Sequence, residues 1–200
     1  MTPDEQLMAD IKAKYGAQID AAVAGTAFPA SLVAALTANE TGLDYTATRL
    51  EPAVLGDLCL VLVGRKQYYG AISRAQLLDH FPPSFKPDQF ATALINLAMS
   101  WGPTQIMGFQ SLAGGYPLSE LAQPAKHFPH TVQMLEAFAK QFNLVVDVTT
   151  PDSGNVRGQT VNFEGLFRCW NSGRPDGKTF DPNYAAKGLA RMVAYEALTQ

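Results

Sequence analysis

The sequence is poor in charge, in cysteine and in histidine, and each shortage closes a route. Only 16% of its 200 residues are Asp, Glu, Lys or Arg, and the formal net charge is −3. A nucleic-acid binder shows a basic face, so no nucleic-acid partner is expected. No apolar run approaches the roughly eighteen residues that a membrane span needs, so no stable membrane insertion is expected either. The opening Met1-Thr2-Pro3-Asp4-Glu5 lacks the basic and apolar regions of a secretory leader. A protein with this start that acts outside the cytoplasm is released by lysis, is secreted by another route, or has been trimmed. The two cysteines, Cys59 and Cys169, lie in apolar surroundings and read as buried free thiols. His127 and His130 are three apart, but Pro129 separates them and no third ligand is near, so no metal and no cofactor is expected.

What is present is an apolar chain, 47% hydrophobic, long enough for a proper core and punctuated by glycine and proline. Thr2-Pro3-Asp4-Glu5 reads as a capping box opening a helix that should end at Gly16. A second helical run, Ala17 to Ala24, stops at Gly25. A third begins at Phe28-Pro29-Ala30-Ser31 and closes at Gly42. Asp44 to Glu51 is a short strand or an extended loop, and Pro52 to Val63 a buried helix closed by Gly64. Ser73 caps a short helix through His80, Phe81-Pro82-Pro83 is a loop, and Pro87-Asp88 opens a helix through Met99 with Phe90, Leu94, Leu97 and Ala98 inward. Gly114-Gly115-Tyr116-Pro117 is a turn, and Thr131 to Phe142 a helix. Val145 to Thr150 is one short strand, and Thr150 to Asn155 an exposed loop. Asn162 to Trp170 is a helix with Phe163, Leu166, Phe167 and Trp170 on one face, followed by the turn Asn171-Ser172-Gly173-Arg174-Pro175. The last helix starts at Asp181-Pro182-Asn183-Tyr184 and packs through Leu189, Met192, Val193 and Leu198. The expectation is a mainly α globule, one domain over residues 1–200 with at most a small β element.

Three stretches depart from generic packing. In Ser100-Trp101-Gly102-Pro103-Thr104-Gln105-Ile106-Met107-Gly108-Phe109, two breaks enclose a hydroxyl, a carboxamide and large apolar side chains. A short rigid loop of that kind suits a sugar, whose hydroxyls need hydrogen bonds and whose ring faces need apolar contact. Upstream, Glu40 stands four residues after Leu36 and continues the core-facing stripe of its helix. A carboxylate that loses water there, at the negative end of a helix, is pushed toward its protonated form, as a general acid requires. Rotation to solvent, or pairing with Arg49 or Arg65, is the plainer alternative. Downstream stands Trp170-Asn171-Ser172-Gly173.

Glu40-Thr41-Gly42, Ser100-x-Gly102-x-x-Gln105-Ile106-Met107 and Trp170-Asn171-Ser172-Gly173, in that order, resemble the lysozyme-like superfamily, and most closely phage-type N-acetylmuramidases and lytic transglycosylases. The resemblance runs from about Leu32 to about Tyr195. It implies a lysozyme-like fold with an inserted helical lobe between Glu40 and Ser100. It implies that Glu40 protonates the glycosidic oxygen and that Ser100 and Gln105 line the sugar subsites. Met107 is then an apolar wall, Asn171 binds substrate, and Tyr184, or in second place Tyr195, stands near the acid. Trp101 either stacks on a sugar or belongs to the core. Thr41 replaces the usual serine, and Trp170 the usual tyrosine. The second carboxylate of the muramidases falls loosely on Glu51, although Pro52 follows it, with Asp44 and Asp57 as other candidates.

The activity this implies is cleavage of the β-1,4 bond between N-acetylmuramic acid and N-acetylglucosamine in peptidoglycan glycan strands, as in an endolysin. If no second carboxylate reaches the bond, the outcome is a lytic transglycosylase forming 1,6-anhydro ends. The alternatives are a non-catalytic glycan-binding or virion-structural domain, which would bind without cleaving, and a helical interaction domain, which leaves the three stretches unexplained.

Overall fold

The computed structural model describes residues 1–81, 86–149 and 156–198. The chain is mainly helical and divides into two compact units, residues 1–43 with 125–200, and residues 44–124. The second unit is therefore a continuous insertion in the first.

The first unit begins with α1, Pro3–Val23, capped by the reciprocal Thr2 and Glu5 bonds. α1 does not end at Gly16. The two helical runs expected there are one helix, because Met8, Ile11, Tyr15 and Ile19 bury a common face that outweighs the roughly 1 kcal/mol cost of an internal glycine. It stops before Gly25, at φ +79°. α2, Ala30–Glu40, is buried at every position from Ser31 to Ala38. A helix apolar all round has no solvent face to offer and belongs inside. It closes on Gly42, at φ +66°, whose N–H bonds to the Thr37 carbonyl.

The second unit opens with β1, Thr48–Leu50, and α3, Pro52–Leu62. α3 is not the buried helix its composition predicts. Only Leu58 and Val61 are buried, and Leu60 and Cys59 face solvent. The apolar run exceeds the surface that this small unit can cover. β2, Tyr68–Tyr69, pairs with β3, Ile72–Ser73. Next comes α4, Arg74–His80, with the expected Ser73 capping box, and α5, Pro87–Leu97. β4, Met99–Trp101, and β5, Ile106–Met107, then form a hairpin antiparallel to β1, in the order β1-β4-β5. Met99 thus leaves the helix for a strand. α6, Phe109–Gly114, and a 3-10 turn, Leu118–Ala122, complete the unit. Its core is Leu58, Val61, Ile72, Leu77, Phe81, Leu94, Leu97, Ala98 and Phe109.

The chain then returns to the first unit. α7, Pro124–Phe142, starts seven residues earlier than Thr131 and runs through Pro129. Proline removes one intrahelical bond, but the buried face of His127, Phe128, Thr131, Val132, Leu135 and Ala139 holds the helix together. β6, Val145–Thr149, pairs with β7, Val156–Val161, where a single strand was expected. α8, Phe163–Ser172, is capped by Asn162, whose Oδ1 accepts from the Gly165 N–H at 2.8 Å. α9, Tyr184–Ala197, packs on α2 and α8 through Tyr184, Ala185, Gly188, Met192 and Tyr195. Val193 and Leu198, expected on the packing face, are exposed. Gly188 sets the helix spacing instead, since a Cβ there would lie 2.5 Å from the Phe167 ring. The described residues hold three small sheets, more β structure than the one small element expected. The loops expected at 82–83 and 150–155 lie outside the described residues.

Candidate functional site

Glu40 is the last residue of α2, where burial gives way to partial exposure. α2 and α9 run antiparallel. Ser31, at the start of α2, donates to Glu196 near the end of α9 at 2.7 Å. At the other end, the Asn39 amide donates to the Tyr184 carbonyl at 3.0 Å. The carboxylate thus lies where the negative end of one helix dipole meets the positive end of another, an arrangement that stabilises the pair of helices.

Tyr184, the first residue of α9, is buried, and its phenol donates a hydrogen bond to Oε1 of Glu40. Burial raises the Tyr184 pKa strongly, and the neighbouring Glu40 charge raises it further. The phenol therefore keeps its proton and acts as a donor at neutral pH. Arg191 backs this pair. Its Nη1 donates to Asn39 Oδ1 at 2.8 Å, and its Nε and Nη2 both reach Asp4 Oδ1, at 3.0 and 2.9 Å. Asp4, Arg191, Asn39, Tyr184 and Glu40 form one connected polar network in the first unit. The sequence reading named only the last two. The signal for Arg191 was available, because it stands seven residues after Tyr184 and so on the same face of a helix.

The second unit carries the hairpin. Ser100 is buried, and its hydroxyl donates to Gln105 Oε1 at 2.6 Å. The Gln105 amide donates to the Ala47 and Gly102 carbonyls, both at 3.0 Å. Gln105 itself is left-handed, at φ +57°, a conformation that a non-glycine residue holds only under such compensation. Ser100 and Gln105 are thus brought together, and together they fix the turn. Trp101 is half-buried, with its indole N–H on the Asn96 carbonyl at 3.0 Å. Met107 pairs with Ser100 across the hairpin and packs partly on the core of that unit. Gly108 follows under tight constraint, since a Cβ there would lie 2.2 Å from the Asn96 carbonyl oxygen.

Each candidate second carboxylate has a local partner. Glu51 accepts from Arg49 Nε at 2.6 Å, Asp57 pairs with Lys66 at 2.8 Å, and Asp44 accepts from the Thr46 N–H and hydroxyl at 2.9 and 2.6 Å. Arg49 is thus the partner of Glu51 within the second unit. Asn171 lies in the last turn of α8, inside the helix instead of a turn, and its Oδ1 accepts from the Phe180 N–H at 3.3 Å. Of the cysteines, Cys169 is buried as expected, whereas Cys59 is exposed. A depression of about 470 Å³ on the first unit, lined by Phe28, Glu136, Lys140 and Asn143 among others, contains none of the candidate catalytic or substrate-binding residues. Among the described residues no three histidine, cysteine or acidic side chains converge as a metal site would need, and no helix is long and apolar enough to cross a membrane. In comparisons with known proteins, the chain matches no family model, no curated protein and no solved structure.

Proposed function

We propose that the protein is a muramidase-type glycoside hydrolase, with Glu40 as the general acid that protonates the glycosidic oxygen between N-acetylmuramic acid and N-acetylglucosamine in peptidoglycan. One observation carries the reading: a carboxyl at the end of a buried helix, engaged by the phenol of a buried tyrosine from a distant helix. A general acid must be held at one place and one angle, partly withdrawn from water, and the α2–α9 junction supplies those conditions. The backing by Asn39, Arg191 and Asp4 restricts it further. Ser100 and Gln105 are spent on each other and on backbone, so they stiffen their own hairpin and keep few hydrogen-bonding groups free.

The transglycosylase outcome has an observation of its own. Glu51, Asp44 and Asp57 all have local partners, which favours a route that needs one carboxyl only. Glu40 would give its proton to the leaving oxygen and then take one from the 6-hydroxyl of the muramic sugar. That oxygen would bond to its own anomeric carbon and form an anhydro ring.

The test is solubilisation of purified cell walls by the native protein and by Glu40→Gln, with mass spectrometry of the fragments. Cleavage by the native protein alone supports the acid. Reducing ends indicate hydrolysis, and ends lighter by one water indicate the intramolecular route. Equal activity in the two proteins, or none in either, overturns the assignment.

A further inference from the structure

Phe180 is 101% exposed, so its ring touches essentially nothing of its own chain. Single apolar residues at a surface are common, but this one stands on a backbone fixed on every side. The preceding Thr179 is buried, and its hydroxyl donates to the Asp181 carbonyl at 2.6 Å. The Phe180 N–H is held by Asn171 Oδ1. Asp181 accepts from the Asn183 N–H at 2.9 Å and from Lys187 Nζ at 2.7 Å. Thr179 is turned inward and the next side chain, at a bend, outward. The aromatic ring is thus presented to solvent by a loop that gives it little freedom, which lowers the ordering cost of any contact it makes.

Its place in the chain sets it close to the Glu40–Tyr184 pair. The Asp181 carbonyl accepts from the Tyr184 N–H at 3.0 Å, so the loop leads straight into the residue whose phenol reaches Glu40. Four residues span at most about 14 Å of extended chain, so the Phe180 backbone lies within that distance of Tyr184. A flat apolar face at this range from a proton donor matches the apolar face of a pyranose ring, the part of a sugar that hydrogen bonds cannot hold.

We propose that Phe180 is the stacking platform for a sugar ring of the glycan strand whose bond Glu40 protonates, and that Asn171 is the positioning residue that holds it there. The inference rests on the glycosidase reading and adds a binding residue to it. Asn171 then serves the substrate through Phe180, instead of touching it.

The experiment uses peptide-free peptidoglycan strands, with kcat and KM measured for the native protein, Phe180→Ala, Phe180→Trp, Asn171→Ala and Asn171→Asp. Binding of the same strands is measured by calorimetry on Glu40→Gln with and without Phe180→Ala. Phe180→Ala should raise KM, and the dissociation constant in the Glu40→Gln background, about tenfold while kcat stays within about twofold. Phe180→Trp should restore the native values. Asn171→Ala should share the KM rise, and Asn171→Asp, which keeps the acceptor oxygen, should not. Cleavage with an unchanged KM in Phe180→Ala overturns the platform and leaves Glu40 in place. An unchanged KM in Asn171→Ala overturns its positioning role. Binding that weakens in Phe180→Ala without any cleavage by the native protein supports the platform and removes the acid. Neither cleavage nor binding by the native protein removes both.

Discussion

The phenol of Tyr184 donates a hydrogen bond to Glu40 across 144 positions of sequence, joining the first residue of one helix to the last residue of another. Replacing Tyr184 with Phe keeps the ring and its burial but deletes the donor. A hydrogen bond to a charged group contributes about 1.5–3 kcal/mol, so Tyr184→Phe should lower kcat by roughly tenfold to a hundredfold. The lost bond favours the ionised carboxylate, so the alkaline limb of the kcat profile should move to higher pH in the variant. A pH–rate series on cell-wall substrate checks both, and an unmoved limb would show that the phenol has no hold on the acid.

Gly188 allows α9 to lie against the Phe167 ring. An added methyl would push 2.5 Å contacts into a packed core, and overpacking of that kind costs about 1–3 kcal/mol. Gly188→Ala should therefore lower the midpoint of urea unfolding despite the better helix propensity of alanine. Combination with Phe167→Leu should recover part of the loss. An unchanged midpoint in Gly188→Ala would mean that the two helices have slack.

Gln105 holds its left-handed turn through three side-chain bonds. Ser100→Ala removes the donor to its oxygen inside a buried hairpin and should cost about 1–3 kcal/mol. Gln105→Ala should cost more than Gln105→Gly, because alanine keeps the backbone strain after the bonds are gone, whereas glycine is at ease at that φ. Thermal melts of the three variants supply the order. Equal Tm values for the alanine and glycine variants would refute the strain argument.

The two thiols should separate cleanly. Burial pushes the Cys169 thiol up to about 11, with Asp176 adding to the shift, while Cys59 is exposed on α3. Iodoacetamide at pH 8 should add one group, at Cys59, and a second only after denaturation. Rapid double labelling of the folded protein would contradict the burial of α8.

Capping chemistry was legible in the sequence: Thr2, Ser73, Gly25, Gly42 and Gly64 act where their types suggest. Those signals are local. What escaped is decided by distant partners. Gly16 and Pro129 look like stops, yet each lies within a helix whose buried face is completed by other elements. β7 carries Gly158 and Gln159 and shows its nature only through pairing with β6. On α9, hydropathy favoured Val193, but contact geometry favours Gly188, a residue with no side chain to score. The site divides the same way. Glu40 stood out as a carboxylate on an apolar stripe, and Tyr184 was named through a family likeness. The Arg191 and Asp4 support depends on α1 meeting α9, and no spacing rule reaches that far.

The insertion of residues 44–124 into the first unit has a consequence for synthesis. A ribosome finishes the inserted segment, with its own core, while α9 is still unmade. During that interval α2 lacks its main cover and Glu40 lacks its phenol. The bond between Tyr184 and Glu40 is completed last, so a stalled or truncated chain carries Glu40 and still lacks the phenol that engages it.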